Sequence, residues 1–187
     1  MLLGYADRRK VHLLMDWPSG SGGDVEVVAH HLQMIALARR NAAERDSFGR
    51  SSYNRYYYAA FLCVRQVLAQ LRSEWETLPH ATYPELLTGK VLKVLSSGRQ
   101  QAQKMQDKEL VSQCSRAIVA ARELAHLMKE SSVTRKVADY HPEILVNFAH
   151  AERFTLNSVD ITEAHQWPAR AKAWAREIEN AWRQVNA

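Results

Sequence analysis

The sequence predicts an all-α fold, an antiparallel helical bundle with an N-terminal extension, and three observations carry the prediction. The stretch from Arg50 to Trp75, RSSYNRYYYAAFLCVRQVLAQLRSEW, holds no proline or glycine. Its Tyr53, Tyr57, Phe61, Val64, Leu68 and Leu71 fall on one stripe at the helical period. Further segments repeat apolar residues at spacings of three and four or open on a capping residue. The alternation that a half-buried strand requires is missing, even from AAFLCV.

Taken in order, residues 1–23 read as an N-terminal arm in which VHLLM suits a short strand, a helical turn or a contact with a partner, and WPSGSGGD breaks regular structure. The bundle domain is expected over 24–187. Asp24 is placed to cap a helix with Val25, Val28, Leu32 and Ile35 on its apolar side, which runs to Arg39 and Arg40. Gly49 is expected to interrupt it before the central helix, whose polar face carries Asn54, Arg55, Arg65 and Arg72. ETLPHATYPE is a connection, and Thr82 with Glu85 has capping-box spacing for a helix containing Leu86, Leu87, Val91, Leu92 and Leu95. Ser96, Ser97 and Gly98 weaken its end.

A long helix is expected from about Asp107 to Lys129 on the spacing of Leu110, Cys114, Ala117, Ala121, Leu124 and Met128, with Ser131 and Ser132 marking its exit. Pro142 disfavours a helical His141 and suits the first turn of a new helix, so His141 stands at a junction. RFTLNSVD is a connection. Asp160 and Glu163 again have capping-box spacing and open a last helix with Trp174, Ile178, Ala181, Trp182 and Val185 on one face. Pro168 either kinks that helix or begins its main part. The total is four or five principal helices.

Composition narrows the class. At 187 residues and 47% hydrophobic, the chain can bury a core of one domain. The formal charge of +5 comes from 25 basic residues scattered along the chain rather than gathered in a tail, so they suit solvated helix faces as well as a polyanion. Cys63 and Cys114 lie inside apolar helical patterns and read as reduced core thiols of a cytoplasmic protein. No apolar run reaches the length of a membrane span, and MLLGYADRRK has its charges after its apolar residues, the reverse of a secretion signal. No phosphate-binding glycine loop, H-E-x-x-H or paired C-x-x-C is present, and no metal or cofactor site is expected. His30 and His31 are adjacent and point in different directions from a helix, while His126, His150 and His165 lack the companions of a ligand set.

Chemistry-bearing residues concentrate in two clusters. The first is SSYNRYYY, where Tyr56, Tyr57 and Tyr58 cannot all face one side of a helix. The second is RKVADYH, in which Arg135 is a permanent cation suited to a phosphate and His141 can exchange a proton near neutral pH. On an unbroken helix the two would stand roughly 120° apart, and a break before Pro142 is needed to bring them closer. The same residues also suit a structural role, with Arg135 paired to Asp139 and His141 closing a helix.

Together these clusters resemble the HEPN family of small all-helical domains. SSYNRYYYAAF is similar to the family's Ser, Arg, Tyr-Tyr-Ala helix, and RKVADYH to its later Arg…Ala-Asp-Tyr stretch, over a HEPN-like part of 48–187. Arg135 and His141, with five residues between them, also fit the family's ribonuclease motif; many members have asparagine after the arginine, and here Lys136 stands there. The resemblance implies a homodimer that cleaves an RNA substrate without metal or cofactor in a groove between two domains, in a toxin–antitoxin or antiviral setting. Arg135 and His141 would be catalytic, and Asn54, Arg55, Tyr58 and Asp139 would support them or position a phosphate. Two alternatives stay open: a catalytically silent HEPN-like scaffold for an antitoxin or other protein of a defence complex, and a nucleotide-binding bundle.

Overall fold

The computed structural model describes residues 22–149 and 152–186. Residues 1–21, which make up most of the expected N-terminal arm, and His150 lie outside the described residues. The order of elements is α1 (Gly22–Ala38), α2 (Ala42–Leu71), α3 (Tyr83–Leu86), α4 (Leu92–Lys104), α5 (Lys108–Tyr140), a hairpin of β1 (Thr155–Leu156) and β2 (Val159–Asp160), and α6 (Ile161–Val185). Short 3₁₀ turns occupy Ser73–Trp75 and His80–Thr82, and a π-helical turn, Leu87–Val91, joins α3 to α4. The all-α helical bundle expected from the sequence is present, and among the described residues no helix is long and apolar enough to cross a membrane.

α2 occupies the middle, packed by α1, α5 and α6. The expected stripe of Tyr53, Tyr57, Phe61, Val64 and Leu68 is buried, and so are Tyr56, Ala59, Ala60, Cys63 and Val67, because neighbours surround the helix on several sides. Arg55, Arg65 and Arg72 keep to the exposed side. α5 packs on α4 and α6 through Cys114, Ala117, Ala121, Leu124 and Met128, the positions expected from the sequence. Both cysteines are free and buried.

Several expectations are corrected. Gly49 does not break the chain: α1 ends at Ala38, Asn41 caps α2 by accepting the Glu44 N–H at 3.1 Å, and Gly49 lies within α2. A Cβ at Gly49 would stand 3.2 Å from Val146 and 3.4 Å from Phe148, so this glycine makes room for the 146–148 segment to lie against the helix. α1 starts at Gly22, ahead of Asp24, and buries Gly22, Ala29, Gln33 and Ala36 rather than Val28, which is 48% exposed. The reason is close approach. A Cβ at Gly22 would meet the Ala59 carbonyl oxygen at 2.5 Å, so small residues let α1 lie tightly on α2 and the bulkier ones turn outward.

Thr82 offers no cap, since its hydroxyl donates instead to the Pro79 carbonyl at 2.7 Å. α5 continues through Ser131, whose buried hydroxyl donates to the Leu127 carbonyl at 2.6 Å and thereby removes its own need for water. Pro142 opens no helix; an irregular segment follows it. Pro168 does not begin a helix but sits within α6, two turns in, and Asp160 caps the start by accepting the Thr162 N–H at 2.8 Å.

RFTLNSVD folds into the hairpin. Asn157 and Ser158 both take positive φ, 51° and 64°, as a two-residue turn between right-twisted strands requires. The buried Tyr53 ties this hairpin to α2 by donating to the carbonyls of Val159 at 2.7 Å and Phe154 at 3.2 Å. Asn147 pairs with Thr155 through backbone bonds of 2.8 and 2.9 Å, which joins the segment after α5 to the same hairpin. Tyr53→Phe keeps the ring and removes the donor to the Val159 carbonyl, while the Phe154 carbonyl still accepts the Ile161 N–H at 2.9 Å. We expect a loss of about 1–2 kcal/mol in urea unfolding, with little change in m-value.

Candidate functional site

The site assembles where the last turns of α5 cross the first half of α2. α5 ends at Tyr140, and His141 takes the C-cap position with its N–H donating to the Val137 carbonyl at 3.2 Å, the junction anticipated before Pro142. A helix that stops there leaves carbonyl oxygens without partners. Arg50 of α2 supplies them. Its Nη1 donates to Val137, Ala138 and His141 carbonyls at 3.2, 3.4 and 3.1 Å, and Nη2 to Pro142 at 3.3 Å and to Ile144.

Asp46 completes the clasp. One carboxylate oxygen accepts Arg50 Nε at 2.6 Å and the other accepts the Val146 N–H at 2.8 Å, so the pair one turn apart on α2 grips both ends of the 141–146 segment. This ion pair is largely shielded, with side-chain exposures of 11% for Arg50 and 22% for Asp46. The sequence reading passed over both residues, although their i, i+4 spacing on a helix was a usable sign of an ion pair.

Around the clasp, the residues singled out from the sequence form one polar network between α2 and α5. Asn54 Nδ2 donates to Asp139 Oδ1 at 2.6 Å, and Asp139 Oδ2 lies 2.8 Å from Arg135 Nε. That N–H is not aimed at the oxygen, so the contact is an ion pair by proximity rather than a directed hydrogen bond. Arg135 Nη2 donates to the Tyr58 hydroxyl at 3.1 Å, and the guanidinium carbon lies 5.6 Å from the ring centroids of both Tyr58 and Tyr140. Burial works against the Arg135 charge, but Asp139 and the Tyr58 oxygen outweigh it and raise the pKa further. The three tyrosines divide as their angles require: Tyr56 and Tyr57 are buried, while Tyr58 is half-buried and faces Arg135.

Arg135 and His141 have different partners. His141 Nδ1 lies 2.9 Å from Glu143 Oε1, an exposed pair, and Glu143 is held in its charged form first by its own backbone N–H and then by His141. Next to the network is an open polar cleft of about 250 Å³, lined by Arg50, Ser51, Asn54, Arg55, Ala138 and Asp139. Arg55 is exposed there and has no acidic partner among the described residues. Three or more His, Cys, Asp or Glu side chains placed to hold a metal ion do not occur among the described residues. Comparison of the chain with protein-family models, with characterised proteins and with solved structures yields no significant match.

Arg50→Met keeps an apolar stem and removes the five carbonyl contacts. Since the outer carbonyls can turn to water, the expected cost is about 2–3 kcal/mol rather than the sum of five bonds. Hydrogen exchange should show the Val146 amide losing protection well before the core amides of α5.

Proposed function

We propose that this chain is a HEPN-type domain that binds RNA and cleaves it without a metal ion, with Arg135 holding the scissile phosphate and His141 transferring the proton. What most supports the reading is the setting of Arg135. Asp139 by charge and Tyr58 by a hydrogen bond hold its guanidinium, and Asp139 and Asn54 line an open polar cleft that also carries Arg55, which has no acidic partner among the described residues. A side chain fixed before the substrate arrives loses little freedom on binding it.

In such a reaction the 2′-hydroxyl of one nucleotide attacks the adjacent phosphorus, its proton passes to His141 Nε2, and the 5′-oxygen of the next nucleotide leaves. Arg135 offsets the charge that gathers on the phosphate oxygens in the transition state. His141 must first turn away from Glu143. Solvent screens an exposed pair of this kind, so a bound phosphate can compete for the ring. The pairing of two domains that the resemblance implies would set one copy's His141 near the other's Arg135, and a cytoplasmic toxin–antitoxin or antiviral setting suits such an activity.

A second reading, the catalytically silent scaffold, draws support from the apolar side chains beside His141: Tyr140 is 67% exposed, Leu145 68% and Ile144 38%. These suit a protein partner as well as a second copy.

A mixed RNA panel incubated in chelator separates the two readings. For the ribonuclease, wild type should leave 2′,3′-cyclic phosphate ends, His141→Ala should lose about 10²–10⁴-fold in rate and Arg135→Ala about 10²–10³-fold, both folded by circular dichroism. Equal cleavage by wild type and His141→Ala would reject the assignment. Absence of cleavage together with a monomer in sedimentation that pairs only with another protein would favour the scaffold.

A further inference from the structure

His80 entered the sequence reading only as part of a connection, yet it stands in the neighbourhood of Arg135. Its ring stacks on Phe61 with centroids 3.7 Å apart and an interplanar angle of 30°, and meets Tyr58 edge-on at 5.7 Å. Tyr58 in turn accepts the Arg135 hydrogen bond. Arg65, one turn beyond Phe61 on α2, has its guanidinium carbon 5.9 Å from the Phe61 centroid. Arg65 is exposed and has no acidic partner among the described residues.

We propose that Arg65, His80 and Arg135, with the Tyr58 hydroxyl, form a phosphate-binding site that takes a backbone phosphodiester of single-stranded RNA. It is reached from Arg135 through Tyr58, whereas the cleft described above is lined by Asn54 and Asp139. The site shares Arg135 with the reading above and rests on it for the class of ligand.

Two arguments support the assignment. The first is charge. Burial, and then Arg135 and Arg65, hold the His80 pKa below its ordinary value, so both arginines oppose a positive charge on the ring. Tyr57 and Tyr58 of α2 and, across Phe61, Tyr83 of α3 are neutral hydroxyls, and no carboxylate acts on the His80 ring itself; Asp139 pairs with Arg135 at 2.8 Å, and Glu76 acts together with Arg65 on Tyr83. An anion here would face two guanidiniums, of which Arg135 has a carboxylate in contact and Arg65, among the described residues, has none. The second is chemistry: the neutral imidazole keeps one N–H to donate, Tyr58 has a hydroxyl, and Arg65 has its full fork of donors, all suited to phosphate oxygens. The stack on Phe61 covers one face of His80, and the residue as a whole stays exposed to an incoming strand.

Bound phosphate opposes the two arginines, so protonated His80 becomes easier to form and its titration midpoint must rise on binding. The test is imidazole NMR of the full chain titrated with a 2′-O-methyl oligoribonucleotide, which has no 2′-hydroxyl to attack and whose diesters keep their charge throughout. We expect the His80 midpoint to rise by about half a unit or more. Arg65→Gln should weaken binding about fivefold and lower the slope of log affinity against log salt by about 0.7, the loss of one single-strand phosphate contact.

Absence of binding, binding with His80 unmoved, or unchanged affinity and slope in Arg65→Gln would each overturn the proposal. An equal shift from inorganic phosphate at the same concentration would overturn its assignment to a nucleic-acid backbone. Cleavage of ordinary RNA by the same sample is scored separately. A His80 shift without cleavage keeps this site and removes the Arg135/His141 chemistry, while cleavage with His80 unmoved does the reverse.

Discussion

A helix of 33 residues that ends within the fold has to find partners for its last carbonyl oxygens, and the arrangement of this molecule turns on how α5 meets that demand. The common answer, a glycine in left-handed conformation, is not used; His141 caps α5 at φ −121°. Arg50 reaches across from α2 instead and gathers the carbonyls of the final turn and of the residues beyond it. Because Asp46 holds the same guanidinium and also the Val146 N–H, the chain leaving α5 is fastened to α2 rather than to its own helix. The places of His141, Glu143 and the exposed Tyr140 and Leu145 all follow from that fastening.

α2 therefore does two kinds of work along its length. Its apolar stripe supplies the centre of the core, and its first half carries Asp46, Arg50, Asn54 and Tyr58, which recur every four residues and face α5. A spacing of four drifts by about 40° per step on a helix, and this slow winding lets the row follow α5 as the two cross. Gly49 belongs to the same design. A glycine inside a helix costs about 1 kcal/mol relative to alanine, and here its missing side chain admits Val146 and Phe148.

What the sequence disclosed, and what it hid, divides along the same physical line. Apolar periodicity located the buried faces of α2, α5 and α6, since burial of large side chains is what periodicity reports. It failed for α1, where contact is made by Gly22, Ala29 and Ala36 and the larger Val27 and Val28 face outward. Small residues pack by closeness rather than by size, and a hydrophobicity pattern does not register closeness. Breakers misled for a related reason. Gly49 and the serines at 131 and 132 lower helix propensity, but tertiary contacts and a hydroxyl bonded within its own helix outweigh that deficit. In the candidate site, residue type and the family resemblance together single out Asn54, Tyr58, Arg135 and Asp139, which are joined in one network, whereas the contacts of Arg50 and His80 leave no mark in the sequence beyond the i, i+4 spacing of Asp46 and Arg50.

The pairing of Arg135 with Asp139 bears on how the two sides of that network can divide their labour. A guanidinium with a carboxylate at 2.8 Å has spent part of its field, so on the Asn54 side the positive charge available to a ligand comes chiefly from Arg55. On the Tyr58 side Arg65 and Arg135 both act on His80, and Glu76 acts beside Arg65 on Tyr83. The Asp139 carboxylate nevertheless does more than subtract. It holds the guanidinium by charge while Nη2 donates to the Tyr58 hydroxyl, so that a phosphate at this arginine would meet a group already held in folding. Arg65, exposed and untethered, would have to give up side-chain freedom on binding, a cost of up to about 2 kcal/mol that Arg135 has largely met in folding. The fixed arginine is thus suited to orientation and the free one to capture, two roles that a strand passing from Arg65 to Arg135 would meet in turn.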